Sequence, residues 1–149
     1  MNMKRLLFFM ASVVIITLST NAQSSISDNS GKVIHIGKTE FLEKIYDYEK
    51  NPDKWIYGGN KPAIIDFYAD WCGPCRMLSP TLESLAKKYK DKIIIYKVNT
   101  DKERELAAAF CITSLPTLLF IPMDKMPQVA QGALPKEDLE KAINDFLLK

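Results

Sequence analysis

Ala63-Ile64-Ile65-Asp66-Phe67-Tyr68-Ala69-Asp70-Trp71-Cys72-Gly73-Pro74-Cys75 is the stretch that decides how this chain is read. Its first six residues are apolar but for Asp66 and show little alternation, the pattern of a strand buried on both faces. Past Cys75, Leu78, Leu82, Leu85 and Tyr89 recur at helical spacing. Two cysteines separated by two residues therefore stand where a strand turns into a helix. A helix N-terminus carries partial positive charge and free N–H groups. Both favour a thiolate, so the pKa of Cys72 is expected to be depressed. Cys75 is within disulfide reach, one turn deeper, and the Cys72–Cys75 pair reads as a redox couple. The alternative is a structural disulfide, but so short a loop would stabilise little. Asp66 is an acid inside an apolar strand, and burial there should raise its pKa. The plain alternative is a paired core acid.

The pattern extends outward from this stretch. Residues 33–36 form a short strand candidate. Thr39 can cap a helix that places Phe41, Leu42, Ile45 and Tyr48 on one face, and Asn51-Pro52 ends it. Residues 51–62, with Trp55 and Tyr57, read as a loop. Pro80 lies inside the helix after the cysteines and should kink it. Residues 93–98 form a second buried strand, 102–110 a short helix, and 117–121 a third core strand. Residues 122–127 turn the chain into an edge strand at 128–131, which Gly132 ends. Pro135 starts a last helix carrying Leu139, Ile143, Phe146 and Leu147. Alternating strands and helices followed by a hairpin and a helix predict an α/β domain, with a central mixed sheet flanked by helices on both faces.

The N-terminus has a different character. Lys4-Arg5 precedes a thirteen-residue apolar run, residues 6–18, and the small residues Thr20-Asn21-Ala22 follow. This is the layout of a signal peptide, with cleavage expected near Ala22. The run is shorter than the roughly 20 residues of a membrane span; an uncleaved anchor is the alternative. The expected organisation is a signal peptide at 1–22, a flexible leader at 23–32 and one domain at 33–149. Lys4 and Arg5 are two of 20 basic residues, and no acid precedes residue 23. The remainder thus balances 18 bases against 18 acids, and no basic surface argues for nucleic acid. A mean hydropathy of -0.09 excludes a polytopic membrane protein. Zinc takes about four ligands. The cysteine pair, a distant Cys111 and a single histidine, His35, do not supply such a set, so no metal is expected. Cys111 is expected to be a small buried apolar residue, with a regulatory or dimerising thiol as the alternative.

Taken together, these segments resemble the thioredoxin family from about Val33 to Leu148. Residues 65–75 resemble its active-site stretch, Pro80 its helix proline, and Lys97-Val98-Asn99-Thr100-Asp101 the end of its third strand. Ser114-Leu115-Pro116-Thr117 resembles its cis-proline loop, and Gly132-Ala133-Leu134 its glycine near the active site. The loop at 51–62 looks longer than usual, and Pro135 stands where a capping serine is common.

The resemblance implies a thioredoxin fold and roles for individual residues. Cys72 would be the nucleophile and Cys75 the resolving thiol. Asp66 would relay the proton of Cys75, with Lys97 tuning it. Trp71, Gly73, Pro74, Leu115, Pro116, Gly132 and Ala133 would form the substrate groove. Pro116 would be cis, and the Leu115 backbone would pair with an extended substrate. The plain alternatives are a core tryptophan and an ordinary turn proline. Oxidising relatives tend to carry histidine between the cysteines; here Gly73-Pro74 implies a reductant. The expected function is an exported, periplasmic protein-disulfide reductase and monomer. It would need no cofactor, because the dithiol itself carries two electrons. Its expected partners are disulfide-containing exported proteins and a membrane thiol-relay donor. The rival functions are a periplasmic disulfide oxidase or isomerase, and a non-catalytic binding subunit.

Overall fold

The computed structural model describes residues 31–149. The expected signal peptide, and all of the expected leader except Gly31 and Lys32, lie outside the described residues. The elements run β1 (Val33–His35), α1 (Lys38–Lys44), β2 (Ala63–Tyr68), α2 (Gly73–Lys88), β3 (Ile94–Asn99), α3 (Arg104–Ala109), β4 (Thr117–Ile121), β5 (Gln128–Gln131) and α4 (Lys136–Ala142). A π-helical turn, Ile143–Leu147, closes the last helix.

The strands form one sheet in the order β1-β3-β2-β4-β5. β3 pairs in parallel with β1 and β2, whereas β4 pairs antiparallel with β2 and β5. Because side chains alternate across a strand, the sheet feeds two apolar layers. Ile64, Ile95 and Leu118 pack with Leu78, Leu82 and Leu85 of α2 and with Leu139 and Ile143. Ile65, Phe67, Val98 and Leu119 pack with Phe41, Ile45 and Leu106 on the other face. β2 is buried along nearly its whole length, as a run apolar but for Asp66 and without alternation predicts.

Local departures from the sequence reading have identifiable causes. α1 is capped by Gly37, not Thr39. The Glu40 carboxylate accepts from the Gly37 N–H at 2.9 Å, and Glu103 accepts from Lys38 N–H at 3.0 Å. The helix stops at Lys44, short of Tyr48. Beyond it the Ile45 carbonyl accepts from Gly58 at 2.8 Å, which docks the 51–62 loop against the helix end. Tyr46 packs in a tilted contact on Trp55 of that loop, with ring centroids 4.4 Å apart. β3 starts one residue later than expected. Pro135 is the N-cap of α4 rather than its first helical residue. Pro80 lies inside α2 as read, where it has no N–H for the Arg76 carbonyl.

Cys111 corrects an expectation. It is exposed, not buried, and its φ is 51°. The Cys111 N–H bonds the Ala108 carbonyl at 3.0 Å, and the Ile112 N–H bonds the Ala107 carbonyl at 2.9 Å. These two bonds are the Schellman closure of α3, with Cys111 in the left-handed position that glycine usually fills. The turn requires that conformation and turns the side chain to solvent. Replacing Cys111 by Gly should therefore raise stability by about 0.5–1 kcal/mol, whereas Cys111→Ser should leave it unchanged. Urea unfolding of the two variants checks this; equal stabilities would show that the left-handed residue is unstrained.

Candidate active site

β2 ends at Tyr68, and a turn closed by the Cys72 N–H on the Ala69 carbonyl at 3.1 Å leads into α2. Cys72 is the N-cap of α2, with extended backbone, and its Sγ accepts from the Cys75 N–H at 3.2 Å. Pro74 stands in the first turn, where its missing N–H would be unpaired in any residue. Cys72 and Cys75 are joined as a disulfide with Cα atoms 5.3 Å apart. They are 4% and 1% exposed, so a partner can reach the sulfurs only over a shaped rim.

That rim is built from several strand ends. Trp71 is 69% exposed, and its indole N–H donates to Asp101 at 2.9 Å. Asn99 at the end of β3 donates to Asp70 at 3.2 Å and accepts from the Asp101 N–H at 3.0 Å. On the other side, the Leu115–Pro116 peptide is cis. Leu115 packs against Ala69, Cys72 and Cys75, and Pro116 is buried. The Pro116 carbonyl accepts from the Gly132 N–H at 2.8 Å. Gly132 has φ 89°, a conformation that side chains disfavour. Gly73 is open: a Cβ there would meet only Arg76, at 4.0 Å. Ala133 is exposed beyond Gly132.

Asp66 lies in the middle of β2, opposite Lys97 on β3 and Leu118 on β4. It is fully buried, and neither carboxylate oxygen has a hydrogen-bond partner. Lys97 Nζ is 3.6 Å from Oδ2, near enough for an ion pair but not for a hydrogen bond. Burial pushes the pKa of Asp66 up to about 6, and the Lys97 ammonium only partly counters it. Lys97 lies over the Tyr68 ring, 4.3 Å from its centroid.

Sequence reasoning missed Ser79. Its hydroxyl donates to the Cys75 carbonyl at 3.1 Å and accepts from Lys97 Nζ at 2.6 Å. Through it Asp66 and Lys97 connect to the cysteine helix. A signal was available: Ser79 follows Cys75 by four residues and precedes Leu82 by three, so it shares their buried face. Asp70 and Asp101, the two acids that brace the rim, stand in motifs the sequence reading quoted but were given no role of their own.

Comparisons with known proteins agree with this arrangement. The family model described as thioredoxin matches residues 38–145. The chain is 50% identical to a thioredoxin of Borreliella burgdorferi over 113 residues, covering 76% of this chain and 96% of that protein. It is 39% identical to the chloroplastic thioredoxin M-type of Pisum sativum over 95 residues, covering 64% of this chain and 55% of that one. A crystal structure of chloroplastic thioredoxin z superposes with a TM-score of 0.65 at 26% identity, over 76% of this chain and 93% of that one. The chain belongs to the thioredoxin family, and Cys72–Cys75 is the disulfide of a thiol–disulfide oxidoreductase.

The raised pKa of Asp66 makes stability depend on pH. The folded protein holds this proton more tightly than the unfolded chain, whose carboxyl titrates near 3.8. The stabilisation from the neutral acid is complete below that pH and is lost as pH rises to about 6. Wild-type protein should therefore lose about 2–3 kcal/mol relative to Asp66→Asn between pH 4 and pH 7. Denaturant unfolding of both oxidised proteins across that range checks it, and parallel pH curves would refute it.

Proposed function

We propose that this protein is an exported reductase of protein disulfides, working on exported substrates and recharged by a membrane thiol relay. The observation that carries the chemistry is Cys72 Sγ at the N-cap of α2, accepting the Cys75 N–H at 3.2 Å. In the reduced protein a sulfur so placed has the helix terminus and a backbone donor to stabilise its thiolate. Gly73-Pro74 adds no imidazolium that would favour the thiolate further, which supports a reducing rather than an oxidising couple. Export is supported by the sequence of residues 1–22.

The Cys72 thiolate attacks one sulfur of a substrate disulfide. The substrate S–S bond breaks, a Cys72–substrate disulfide forms, and the departing thiolate takes up a proton. Cys75 then loses its proton and attacks Cys72 Sγ, and the second substrate sulfur leaves. Two electrons have passed to the substrate, and Cys72–Cys75 is oxidised. Asp66 is the proton acceptor for Cys75, and Lys97 tunes it. With a pKa of about 6, it is a carboxylate at neutral pH yet basic enough to take a proton. An extended substrate lies across Trp71, Gly73, Pro74, Pro116, Gly132 and Ala133, and pairs with the Leu115 backbone. The protein acts as a monomer without a cofactor.

Equilibration of the Cys72–Cys75 couple with a reference dithiol tests the direction of transfer. A potential near about −270 mV is expected; a value of about −180 to −120 mV would assign the protein to disulfide formation or isomerisation. Cys72→Ser should abolish function in cells, whereas retained function would make the protein a binding subunit. Fractionation of cells expressing the full chain should find a product starting at Gln23 outside the cytosol. An uncleaved chain in the membrane fraction would replace the cleaved leader with an anchor.

A further inference from the structure

Ser79 changes what Lys97 can do for Asp66. A lysine ammonium has three N–H donors and ordinarily prefers a carboxylate, since bonds between two charged groups are the stronger ones. Here Lys97 Nζ donates to Ser79 Oγ at 2.6 Å and stands 3.6 Å from Asp66 Oδ2. Both Asp66 oxygens stay buried and unbonded, a rare condition in folded proteins. The hydroxyl holds the ammonium because the helix holds the hydroxyl: Ser79 Oγ donates to the Cys75 carbonyl at 3.1 Å. The chain of donors thus runs from Lys97 through Ser79 to the backbone of the resolving cysteine.

We propose that Ser79 is a positioning residue for the proton acceptor: by anchoring the Lys97 ammonium to α2 it withholds a direct hydrogen bond from Asp66. The carboxyl then remains a better base than an unanchored lysine would allow. Its meaning for catalysis rests on the reading of Asp66 as acceptor for Cys75, whereas the competition for Lys97 rests on geometry alone. With the hydroxyl removed, the flexible lysine stem needs to move less than about 1 Å to bring Nζ into hydrogen-bond range of Oδ2. The pKa of Asp66 then falls. Other charged groups bear on this acid little. β4 offers Leu118 opposite it. α2 offers Ser79 and Cys75, and the latter does not titrate while in the disulfide. On β2 itself Tyr68 lies under Lys97, and His35 of β1 reaches only the Tyr68 hydroxyl, at 3.3 Å.

The test is an NMR titration of the Asp66 side-chain carboxyl in the oxidised protein. It uses wild type, Ser79→Ala, Ser79→Thr, Lys97→Met and the Ser79→Ala/Lys97→Met pair. Alanine is well tolerated in a helix, so the first variant should fold. Ser79→Ala should lower the Asp66 midpoint by about one pH unit, and Ser79→Thr, which keeps a hydroxyl, should restore it. Lys97→Met should raise the midpoint, and adding Ser79→Ala to it should change nothing further. An unchanged or raised midpoint in Ser79→Ala overturns the inference, as does a shift that persists without Lys97. The pH–rate profile of disulfide reduction by Asp66→Asn is read in parallel. If Asp66→Asn leaves that profile unaltered while Ser79→Ala still lowers the midpoint, the acceptor reading fails and the positioning of Lys97 stands.

Discussion

β2 is hydrogen-bonded on both edges, to β3 and β4, and apolar layers cover both its faces. The site depends on that double burial. Side chains on a strand alternate, so a one-residue slip in register would exchange the two faces. In the observed register Asp66 shares the parity of Ile64, whose layer is packed by α2, and not that of Ile65 and Phe67, whose layer is packed by α1 and α3. The acid therefore faces the helix that carries the cysteines. The same register sets Lys97 directly opposite it on β3. A buried acid with a buried base beside it is thus a product of strand pairing, before any loop contributes.

The direction of the strands gathers the remaining parts at one end of the sheet. β2 and β3 are parallel, so the turn after Tyr68 and the segment after Asn99 emerge together, and Trp71 can reach Asp101. β4 is antiparallel to β2, with Thr117 opposite Phe67, so the start of β4 arrives where β2 ends. That brings Pro116 and Leu115 to the cysteines. β5 reverses again, with Gln131 opposite Thr117, and delivers Gly132 to the Pro116 carbonyl. Residues around the disulfide that lie more than sixty positions apart in sequence meet because the mixed sheet turns its strand ends to one edge.

Much of this was legible because it depends on strong local signals. The apolar run of β2, the helical spacing after Cys75 and the glycine and proline punctuation each report directly on backbone state. The resemblance then supplied features that no local pattern contains, such as Lys97 beside Asp66 and a cis Pro116. What escaped was decided by competition between tertiary groups. Thr39 is a good cap by type, but Glu40 and Glu103 satisfy the first turn from outside and move the start to Gly37. Tyr48 has helical spacing, yet the 51–62 loop takes the Ile45 carbonyl and ends the helix first. Cys111 is apolar by composition, but the turn that closes α3 fixes its direction. Ser79 is a common helix residue, and only the fold reveals that Lys97 bonds its hydroxyl.

The unbonded carboxyl of Asp66 is, with the indole N–H of Trp55, one of two buried side-chain groups left without a partner among the described residues. Leaving a buried polar group without a partner costs about 1–3 kcal/mol. A direct bond from Lys97 would remove that penalty, and the two side chains are already within 3.6 Å. Such a bond would also stabilise the carboxylate and make it a poorer proton acceptor. Stability and basicity therefore pull this pair in opposite directions, and in the observed geometry the ammonium bonds the Ser79 hydroxyl and not the carboxylate. The interior carries an orphaned acid on the face of β2 that looks toward the cysteine helix. Packing that excludes water from Asp66 raises its pKa, and the same packing covers Cys75. Loosening the core around β2 would thus lower the pKa of Asp66 and weaken the fold by one cause.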